Sequence, residues 1–236
     1  MGGLGEAISV KLAALGYKVI TTHTPGNTKA VAWLRTMNDM GYEFKAYSCD
    51  VADYDSCLSC VAQVTKDVGP IDVLVNNAGI TRDMTFKKMS KADWDAVIHT
   101  NLDSVFNMTK QVMDGMVERG WGRVINISSV NAQKGAFGQT NYAAAKAGMH
   151  GFTKALALEV AKKGVTVNTI SPGYIGTKMV MAIPQDVLES KILPLIPLSR
   201  LGKPNEIAGL VAYLSSDEAA FVTGANIAIN GGQHMY

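Results

Sequence analysis

Short runs rich in β-branched residues alternate along the chain with longer segments whose apolar positions recur at helical period. Strands are predicted at residues 18–22, 44–48, 73–76, 123–128, 166–170 and 226–229. Helices are predicted at residues 5–15, 27–40, 54–67, 92–118, 142–162 and 205–214. Such alternation is typical of parallel strands joined by helical crossovers, so we predict an α/β fold with one doubly wound parallel sheet of the Rossmann type. No Pro/Gly-rich linker interrupts the pattern, so residues 1–236 are predicted to form a single domain.

The first residues, "MGGLGEAISVKLAALG", place Gly3, Leu4 and Gly5 directly before a segment of helical period. Glycines at a helix start let backbone N–H groups approach a pyrophosphate. A strand should precede a loop of this kind, yet only Met1 and Gly2 stand before it. We therefore expect the sequence to begin inside the motif, with the first strand of the sheet missing from it. A sheet without that central strand would leave ladder groups unpaired, at roughly 1–3 kcal/mol each.

Apolar residues make up 47% of the chain and charged residues 18%, which is typical of a globular protein. The formal net charge of +2 gives no field that favours nucleic acid or an acidic membrane. No apolar run is long enough to span a bilayer, and no secretory signal opens the chain. The odd count of three cysteines then predicts free thiols in a reducing, cytoplasmic compartment. Cys57 and Cys60 match C-x-x-C, but the absence of a second pair favours a structural role over zinc or redox chemistry.

The polar segments after the predicted strands hold the candidate chemistry. Tyr142 and Lys146 lie one helical turn apart and so share a helix face. A tyrosine, with a pKa near ~10, is a poor acid at neutral pH until a neighbouring cation stabilises its phenolate. Ser129 offers a hydroxyl that can polarise a carbonyl, and Asn101 offers an amide that can hold a water. Beside a nucleotide site, these groups indicate carbonyl reduction by hydride transfer.

Each of these features also has an ordinary structural explanation. Tyr-x-x-x-Lys spacing arises by chance on helices, and a pair such as Ser128 and Ser129 is common in turns. Their joint order, each at a strand end or a helix start, favours the catalytic interpretation. The alternative is a protein that is not an enzyme, namely a nucleotide-binding fragment or subunit without catalytic activity. The intact set of Asn101, Ser129, Tyr142 and Lys146 disfavours this alternative, and the missing strand favours it.

The motifs together resemble the short-chain dehydrogenase/reductase family over essentially the whole chain. The matching stretches are "GGLG", "CDV", "NNAG", "TNL", "NISS", "YAAAK" and "SPGYIGT". The resemblance implies that Tyr142 is the general acid, that Ser129 orients the substrate carbonyl and that Asn101 anchors a proton relay. It implies two roles for Lys146, which are contact with the nicotinamide ribose and tuning of Tyr142. It also implies an apolar strand ending in Thr-Gly ahead of the glycine loop.

A nicotinamide cofactor and no metal follow from the same resemblance. The residues that it places around the cofactor are Gly3, Leu4, Gly5, His23, Lys29, Asp50, Val51, Asn77, Ala78, Gly79, Tyr142, Lys146, Pro172, Gly173, Ile175 and Thr177. The strand at residues 18–22 ends without the carboxylate that would hold an NAD ribose and repel a 2′-phosphate. Lys29 is either a point charge for that phosphate or a solvated lysine at a helix start. The missing acid favours NADPH.

Within the family, "NNAGITRD", "GWGRVINISSVNAQKGAFGQTNY" and "NGGQHMY" resemble enzymes that reduce 3-oxoacyl thioesters. This implies acetoacetyl-CoA as substrate and (R)-3-hydroxybutyryl-CoA, the precursor of polyhydroxybutyrate, as product. The alternative is a 3-oxoacyl group delivered by acyl carrier protein in fatty-acid synthesis. The residues expected around the acyl group are Ser129, Phe137, Gln139, Tyr142 and Tyr174. Ala136 and Lys178 depart from the residues usual in the CoA-specific enzymes.

A homotetramer is also implied by the resemblance. The predicted helices at 92–118 and 142–162 carry apolar residues on more than one face, which favours a second packing partner. These residues are Val105, Phe106, Val112, Met113, Met116, Met149, Phe152, Leu156 and Val160.

Overall fold

The computed structural model describes residues 3–235, so Met1, Gly2 and Tyr236 lie outside the described residues. The strands are β1 (Ile20–His23), β2 (Lys45–Ser48), β3 (Val73–Asn76), β4 (Gly122–Ile127), β5 (Val165–Pro172) and β6 (Asn226–Ile229). The α-helices are α1 (Gly3–Ala14), α2 (Ala30–Asp39), α3 (Tyr54–Asp67), α4 (Lys91–Ile98), α5 (Ser104–Arg119), α6 (Asn131–Lys134), α7 (Thr140–Val160), α8 (Lys178–Met181), α9 (Gln185–Val187) and α10 (Pro204–Ser215). The ladders between the strands are parallel. The predicted α/β class is confirmed.

Helices cover both faces of the strands. Side chains alternate between the faces along a strand, so Val124 and Ile125 of β4 are buried in different hydrophobic clusters. The cluster with Val124 also holds residues of α3, α5 and α7. The cluster with Ile125 holds residues of α1 and α10. This is the doubly wound arrangement that the sequence predicts.

The strands form two ladders rather than one. β3, β4, β5 and β6 lie side by side in that order, and β1 pairs with β2. Within residues 3–235, the second edge of β1 and the second edge of β3 have no strand partner. Ile20 of β1 nevertheless packs against the same hydrophobic cluster that contains Leu74 of β3. Both ladders therefore share one core, and a further strand between them stays a prediction.

An added strand tests this arrangement. We expect an extension of about ten apolar residues ending in Thr-Gly, placed ahead of Met1, to pair the second edges of β1 and β3 at roughly 1 kcal/mol per hydrogen bond. Urea unfolding of both chains measures the gain in free energy of unfolding. An extension with two central prolines, which lack the N–H donor, is the matched control. Equal unfolding midpoints with and without the extension would contradict the prediction.

The predicted helix over residues 92–118 is wrong as a continuous element. The chain forms α4, then a π-helical turn at His99–Asp103, then α5. Asn101 in this turn is fully buried, and its side chain is bonded to the main chain of Ile80. A π-turn accommodates an extra residue and is frequent at functional sites. The break therefore turns Asn101 out of the regular helix and towards the loop after β3.

The other predicted ranges agree with the observed elements apart from their ends. β3, α3 and β6 occupy the predicted ranges. α2 begins at Ala30 rather than at residue 27, because the Asn27 side chain accepts a hydrogen bond from Lys29 N–H at 2.9 Å and holds a turn there. No helix among residues 3–235 has the length and apolarity to cross a bilayer.

Most side chains behind the oligomer argument are buried within this chain. The buried ones are Val105, Val112, Met113, Met116, Met149 and Val160. Their apolar character is therefore explained without a second copy, which corrects the sequence argument. Phe106 and Leu158 are exposed, at 51% and 86%. The homotetramer stays a prediction.

The three cysteines lie together in the core as free thiols. Cys49 Sγ is 3.9 Å from Cys57 Sγ and 4.0 Å from Met108 Sδ. The contact with Cys49 and burial raise the pKa of Cys57, so its thiol stays protonated. Within residues 3–235 no group of His, Cys, Asp or Glu side chains is arranged to hold a metal ion. The sulfur atoms pack as part of the core.

Candidate active site

The loops that follow β3, β4 and β5 meet the first turns of α1 and α7. A β-carbon built on Gly79 would lie 3.4 Å from Asn101 Oδ1 and 3.4 Å from Lys146 Nζ. A β-carbon on Gly5 would lie 3.1 Å from Asn77 Nδ2. These contacts bring predicted cofactor and catalytic residues together at the carboxyl ends of the strands, where such sheets bind ligands.

Tyr142 and Lys146 occupy the first two turns of α7 and face the same side. Lys146 Nζ lies 5.8 Å from the centre of the Tyr142 ring and donates a hydrogen bond to the Ile127 carbonyl at 2.7 Å. The Lys146 side chain is buried, and this burial lowers its pKa to about 8. A buried ammonium beside a phenol stabilises the phenolate form by Coulomb attraction.

Ser129 stands in the loop after β4, against Tyr142. Its Oγ accepts a hydrogen bond from Asn131 N–H at 3.1 Å. Burial raises the pKa of Tyr142, the hydrogen bond with Ser129 lowers it, and the charge of Asp83 raises it. The phenol therefore keeps its proton in the resting site, while the serine favours the ionised form during proton donation.

Asn101 lies beside these groups, and its side chain is hydrogen-bonded to the main chain of Ile80. Its Oδ1 accepts a hydrogen bond from Ile80 N–H at 2.8 Å, and its Nδ2 donates to Ile80 O at 2.9 Å. These two bonds tie the π-turn to the loop after β3. Its place in a proton relay stays a prediction.

The predicted pyrophosphate loop faces the segment after β5. Gly3 has a φ of +59°, a left-handed conformation that favours glycine. A β-carbon there would lie 3.7 Å from Thr177 Cγ2, so Gly3 and Thr177 are close neighbours. Leu4 follows in α1 and packs against the cluster that contains Ile125. The backbone N–H groups at the start of this helix lie next to glycines, which carry no side chain. This arrangement fits a dinucleotide phosphate.

The segment after β5 is held by close backbone packing. A β-carbon on Gly173, the residue after Pro172, would approach Asn230 Cα to 2.8 Å, so a side chain does not fit there. Ile175 is buried and forms a bridge with Gly202. Thr177, two residues further on, precedes α8. The expected nicotinamide-side residues thus form one fixed edge of the site.

The residues predicted at the adenine end of the cofactor follow β1 and β2. His23 ends β1, and Lys29 stands exposed just before α2. Asp50 follows β2 and accepts a hydrogen bond from Ala52 N–H at 3.0 Å. The carbonyl of Val51 accepts a hydrogen bond from Asn107 Nδ2 at 3.0 Å, which fixes this loop to α5. Ala78 lies between Asn77 and Gly79 in the loop after β3.

The residues expected around the acyl group differ in their exposure and in their contacts. Phe137 is 95% exposed, and Tyr174 packs against the small cluster of Leu188, Ile192 and Ile196. Both polar atoms of the Gln139 side chain are engaged within the protein. Phe137, Gln139 and Tyr174 therefore stay predicted substrate contacts.

A buried polar network beneath the site was missed by sequence reasoning. Asn76 Nδ2 donates to Asn126 Oδ1 at 2.8 Å, and Asn126 Nδ2 donates to Thr153 Oγ1 at 2.9 Å. Thr153 Oγ1 is 2.7 Å from Thr169 Oγ1. The network links β3, β4, α7 and β5, so it fixes the helix that carries Tyr142 to the sheet. The sequence feature that could have predicted this network is the presence of polar residues inside otherwise apolar strands.

Ser128 forms a second such link. Its Oγ donates to the Lys146 carbonyl at 2.9 Å and lies 2.9 Å from His150 Nε2. The single hydroxyl hydrogen is used by that carbonyl, so His150 Nε2 carries the proton of its own bond to Ser128. His150 also lines a cavity of about 380 Å³ with Gln133, Lys154, Asn226 and His234.

Comparisons with known proteins agree with this arrangement. A family model described as enoyl-(acyl carrier protein) reductase matches residues 1–234. The chain is 59% identical to an acetoacetyl-CoA reductase of Cupriavidus necator, over 100% of this chain and 95% of the relative. It is 53% identical to one of Allochromatium vinosum, over 100% and 96%. A 3-oxoacyl-acyl-carrier-protein reductase of Vibrio cholerae is 44% identical, over 99% of this chain and 93% of the relative.

Proposed function

This chain belongs to the short-chain dehydrogenase/reductase family, and we propose that it reduces acetoacetyl-CoA to (R)-3-hydroxybutyryl-CoA with NADPH. One observation carries the reaction type: the half-buried Tyr142 phenol has the Ser129 hydroxyl and the Lys146 ammonium as neighbours. The substrate is carried over from the acetoacetyl-CoA reductases that are 59% and 53% identical to the chain. The lower identity to the acyl-carrier-protein reductase, 44%, makes that substrate the second candidate.

The protein's part in the reaction is to give the carbonyl oxygen a proton. Bound NADPH supplies the hydride that is added to the carbonyl carbon. Ser129 donates a hydrogen bond to the carbonyl oxygen and fixes its position, and Tyr142 transfers its phenolic proton to that oxygen. Lys146 stabilises the phenolate that remains, since its Nζ lies 5.8 Å from the ring centre. The product is the 3-hydroxy thioester.

The cofactor would lie between α1 and the segment after β5. Gly3 and Gly5 would admit the pyrophosphate, with Asn77 and Thr177 beside them. Asp50 and the neighbouring loop would meet the adenine. NADPH rather than NADH is proposed because β1 ends in Thr22 and His23 without a carboxylate.

Cofactor choice can be tested at Lys29. We expect NADPH to give a higher kcat/KM than NADH, and Lys29→Glu to lower the NADPH value about tenfold with little change for NADH, because the variant repels a 2′-phosphate. Steady-state kinetics with both cofactors measure this. Lys11→Glu, which changes an exposed lysine in the last turn of α1, is the matched control. Equal losses with both cofactors would contradict the role of Lys29.

Substrate choice can be tested with one acyl group on two carriers. We expect kcat/KM for acetoacetyl-CoA to exceed that for acetoacetyl-acyl-carrier-protein by about tenfold or more. Chiral chromatography of the product should give the (R)-3-hydroxy thioester. Preference for the carrier protein would assign the chain to fatty-acid synthesis instead. Failure to consume NADPH with either carrier, despite NADPH binding, would favour a non-catalytic relative.

The proposed reaction also implies a metabolic role, a cellular compartment and an oligomeric state. The (R)-3-hydroxybutyryl thioester would supply polyhydroxybutyrate synthesis, and the enzyme would act in the cytoplasm, where buried free thiols stay reduced. We propose a homotetramer, for which the exposed Phe106 and Leu158 are the remaining candidate contacts.

A further inference from the structure

A polar cavity of about 380 Å³ lies beside α7 and is separate from the residues of the candidate active site. Its lining comes from α6, α7, β6 and the segment after β6, and consists of Gln133, His150, Lys154, Asn226 and His234. None of these residues is expected to contact the acyl group or the nicotinamide cofactor. Ligand sites in proteins measure about 300–1,000 Å³, so the cavity has room for a small molecule.

The lining of this cavity is basic. Lys154 is exposed and offers an ammonium group, while His150 and His234 add two imidazoles that can take up a proton. Within residues 3–235, no carboxylate belongs to the lining. Cationic hydrogen-bond donors without a neighbouring acid favour a ligand that carries negative charge.

Gln133 indicates which kind of anion fits. Its Nε2 and Oε1 are both buried, and neither has a hydrogen-bond partner in the described part of the chain. Buried polar atoms are normally paired, so this amide calls for a ligand with one acceptor and one donor. An ionised carboxylate or a sulfate only accepts hydrogen bonds. A phosphate group that keeps one proton does both, and its second pKa lies near ~6.

His150 connects the cavity to the interior of the protein. Its Nε2 donates to Ser128 Oγ at 2.9 Å and lies 3.4 Å from Ser171 Oγ. Because Nε2 already carries a hydrogen, a second proton adds at Nδ1 and makes the ring cationic. Burial and the charge of Lys154 lower the pKa of His150, which favours the neutral ring.

The groups around His150 set how a bound anion acts on it. Those that are charged or titratable are Lys146 and Lys154 on α7 and His234 after β6. The groups that β4, β5, α6 and β6 bring to the ring or to the cavity are uncharged, namely Ser128, Ser171, Gln133 and Asn226. An anion in the cavity therefore supplies the negative charge that this surrounding lacks.

We propose that the cavity binds a phosphate group through Gln133, His150 and Lys154, and that binding is accompanied by uptake of a proton from solvent at His150. The phosphate group is either inorganic phosphate or the phosphomonoester of a small metabolite. Its charge stabilises the imidazolium, so phosphate binding and protonation of His150 favour each other. This site does not depend on which reaction the chain catalyses.

NMR signals of the histidine rings test the site directly. The chain has four histidines, which are His23, His99, His150 and His234. We expect inorganic phosphate to move the His150 and His234 signals saturably at pH 7, with a Kd on the order of 1 mM. Phosphate should also raise the midpoint of the His150 titration by about 1 pH unit.

The other two histidines are internal controls in the same spectrum. His99, whose ring contacts Asp103, should keep its signal. His23 lies at the predicted adenine end of the cofactor site, so it reports phosphate that binds there instead. Signals that move only for His23, or for no histidine, would overturn the proposal. The signals report binding rather than turnover, so a chain that leaves acetoacetyl-CoA unreduced would overturn only the proposed function.

Variants and a second anion test the contacts. We expect Lys154→Met and Gln133→Leu each to weaken phosphate binding about tenfold, with Lys162→Met and Gln111→Leu as matched controls that keep the wild-type affinity. Sulfate carries no proton at pH 7, so it should bind about tenfold more weakly than phosphate. Equal affinities for the two anions, or an unchanged affinity in either site variant, would overturn the proposal.

His150→Gln tests the proton uptake, and its amide N–H keeps a donor for Ser128. The ratio of wild-type to variant affinity should rise about threefold or more between pH 8 and pH 6, because the titration of phosphate itself cancels in this ratio. A constant ratio would overturn the role of His150. Glycerol 3-phosphate is the second probe, and tighter binding of this probe than of inorganic phosphate would support a phosphomonoester as the ligand.

Discussion

Tyr142→Phe is expected to lower the rate of acetoacetyl-CoA reduction about a thousandfold while leaving NADPH binding nearly unchanged. The substitution removes the phenolic proton donor, and general acid catalysis contributes ~10²–10⁴-fold to such reactions. The ring itself remains, so the packing of the first turn of α7 should persist. Stopped-flow measurement of NADPH oxidation gives the rate, and quenching of tryptophan fluorescence by NADPH gives the affinity.

Tyr213→Phe is the matched control for this change. Tyr213 lies on α10 and is 41% exposed, outside the site. Its variant should reduce acetoacetyl-CoA at the wild-type rate. Turnover by Tyr142→Phe within about tenfold of wild type would remove Tyr142 from the role of acid.

Lys146→Met should have the second large effect. It should lower the activity, and it should raise the stability by removing a buried charge. Methionine keeps the length of the side chain but cannot stabilise the Tyr142 phenolate or contact a ribose, so we expect kcat to fall by about a hundredfold or more and NADPH affinity to fall as well. A wild-type affinity for NADPH would contradict the ribose contact. Lys154→Met, further along α7, is the control.

The stability effect of Lys146 depends on pH in a defined direction. Burial lowers its pKa from 10.5 to about 8 in the folded chain. Between these values the unfolded chain binds a proton that the folded chain has lost, so the Lys146 contribution to stability rises with pH. Below pH ~8 the cost of the buried charge is fully present.

Because Lys146→Met removes this titration, the stability of wild type relative to the variant should rise by about 3 kcal/mol between pH 7 and 10.5. Urea unfolding of both chains across this range measures the difference, and the other titrating groups cancel. A constant difference would contradict a buried, titrating lysine.

The parallel α/β fold was accessible from the sequence because its signals are local. β3 and β6 are short apolar runs bounded by polar turns, and α3 begins at an aspartate that caps it by accepting Ser56 N–H. The proximity of Tyr142 and Lys146 was accessible for a related reason: the two residues share one helix, so their spacing alone places them on one face.

Other parts depended on contacts between distant segments. The π-turn is held by two hydrogen bonds between the Asn101 side chain and the main chain of Ile80, which lies in another loop. Gln139 was expected at the acyl group, and its hydrogen bonds to Asp83, after β3, and to Asn131, at the start of α6, were not foreseen. Apolar periodicity marked Met113 and Met116 without showing which neighbour buries them. Such pairings are properties of the assembled fold, which no single segment encodes.

The cluster of Cys49, Cys57 and Cys60 gives the protein an intrinsic reporter of its own opening. All three thiols are less than 5% exposed, so a thiol reagent can react only when β2 and α3 separate from α5. The modification rate therefore measures how often this adenine-side region opens. Ligands that clamp Asp50 and Val51 should slow labelling, which makes cofactor occupancy readable by mass spectrometry without any turnover.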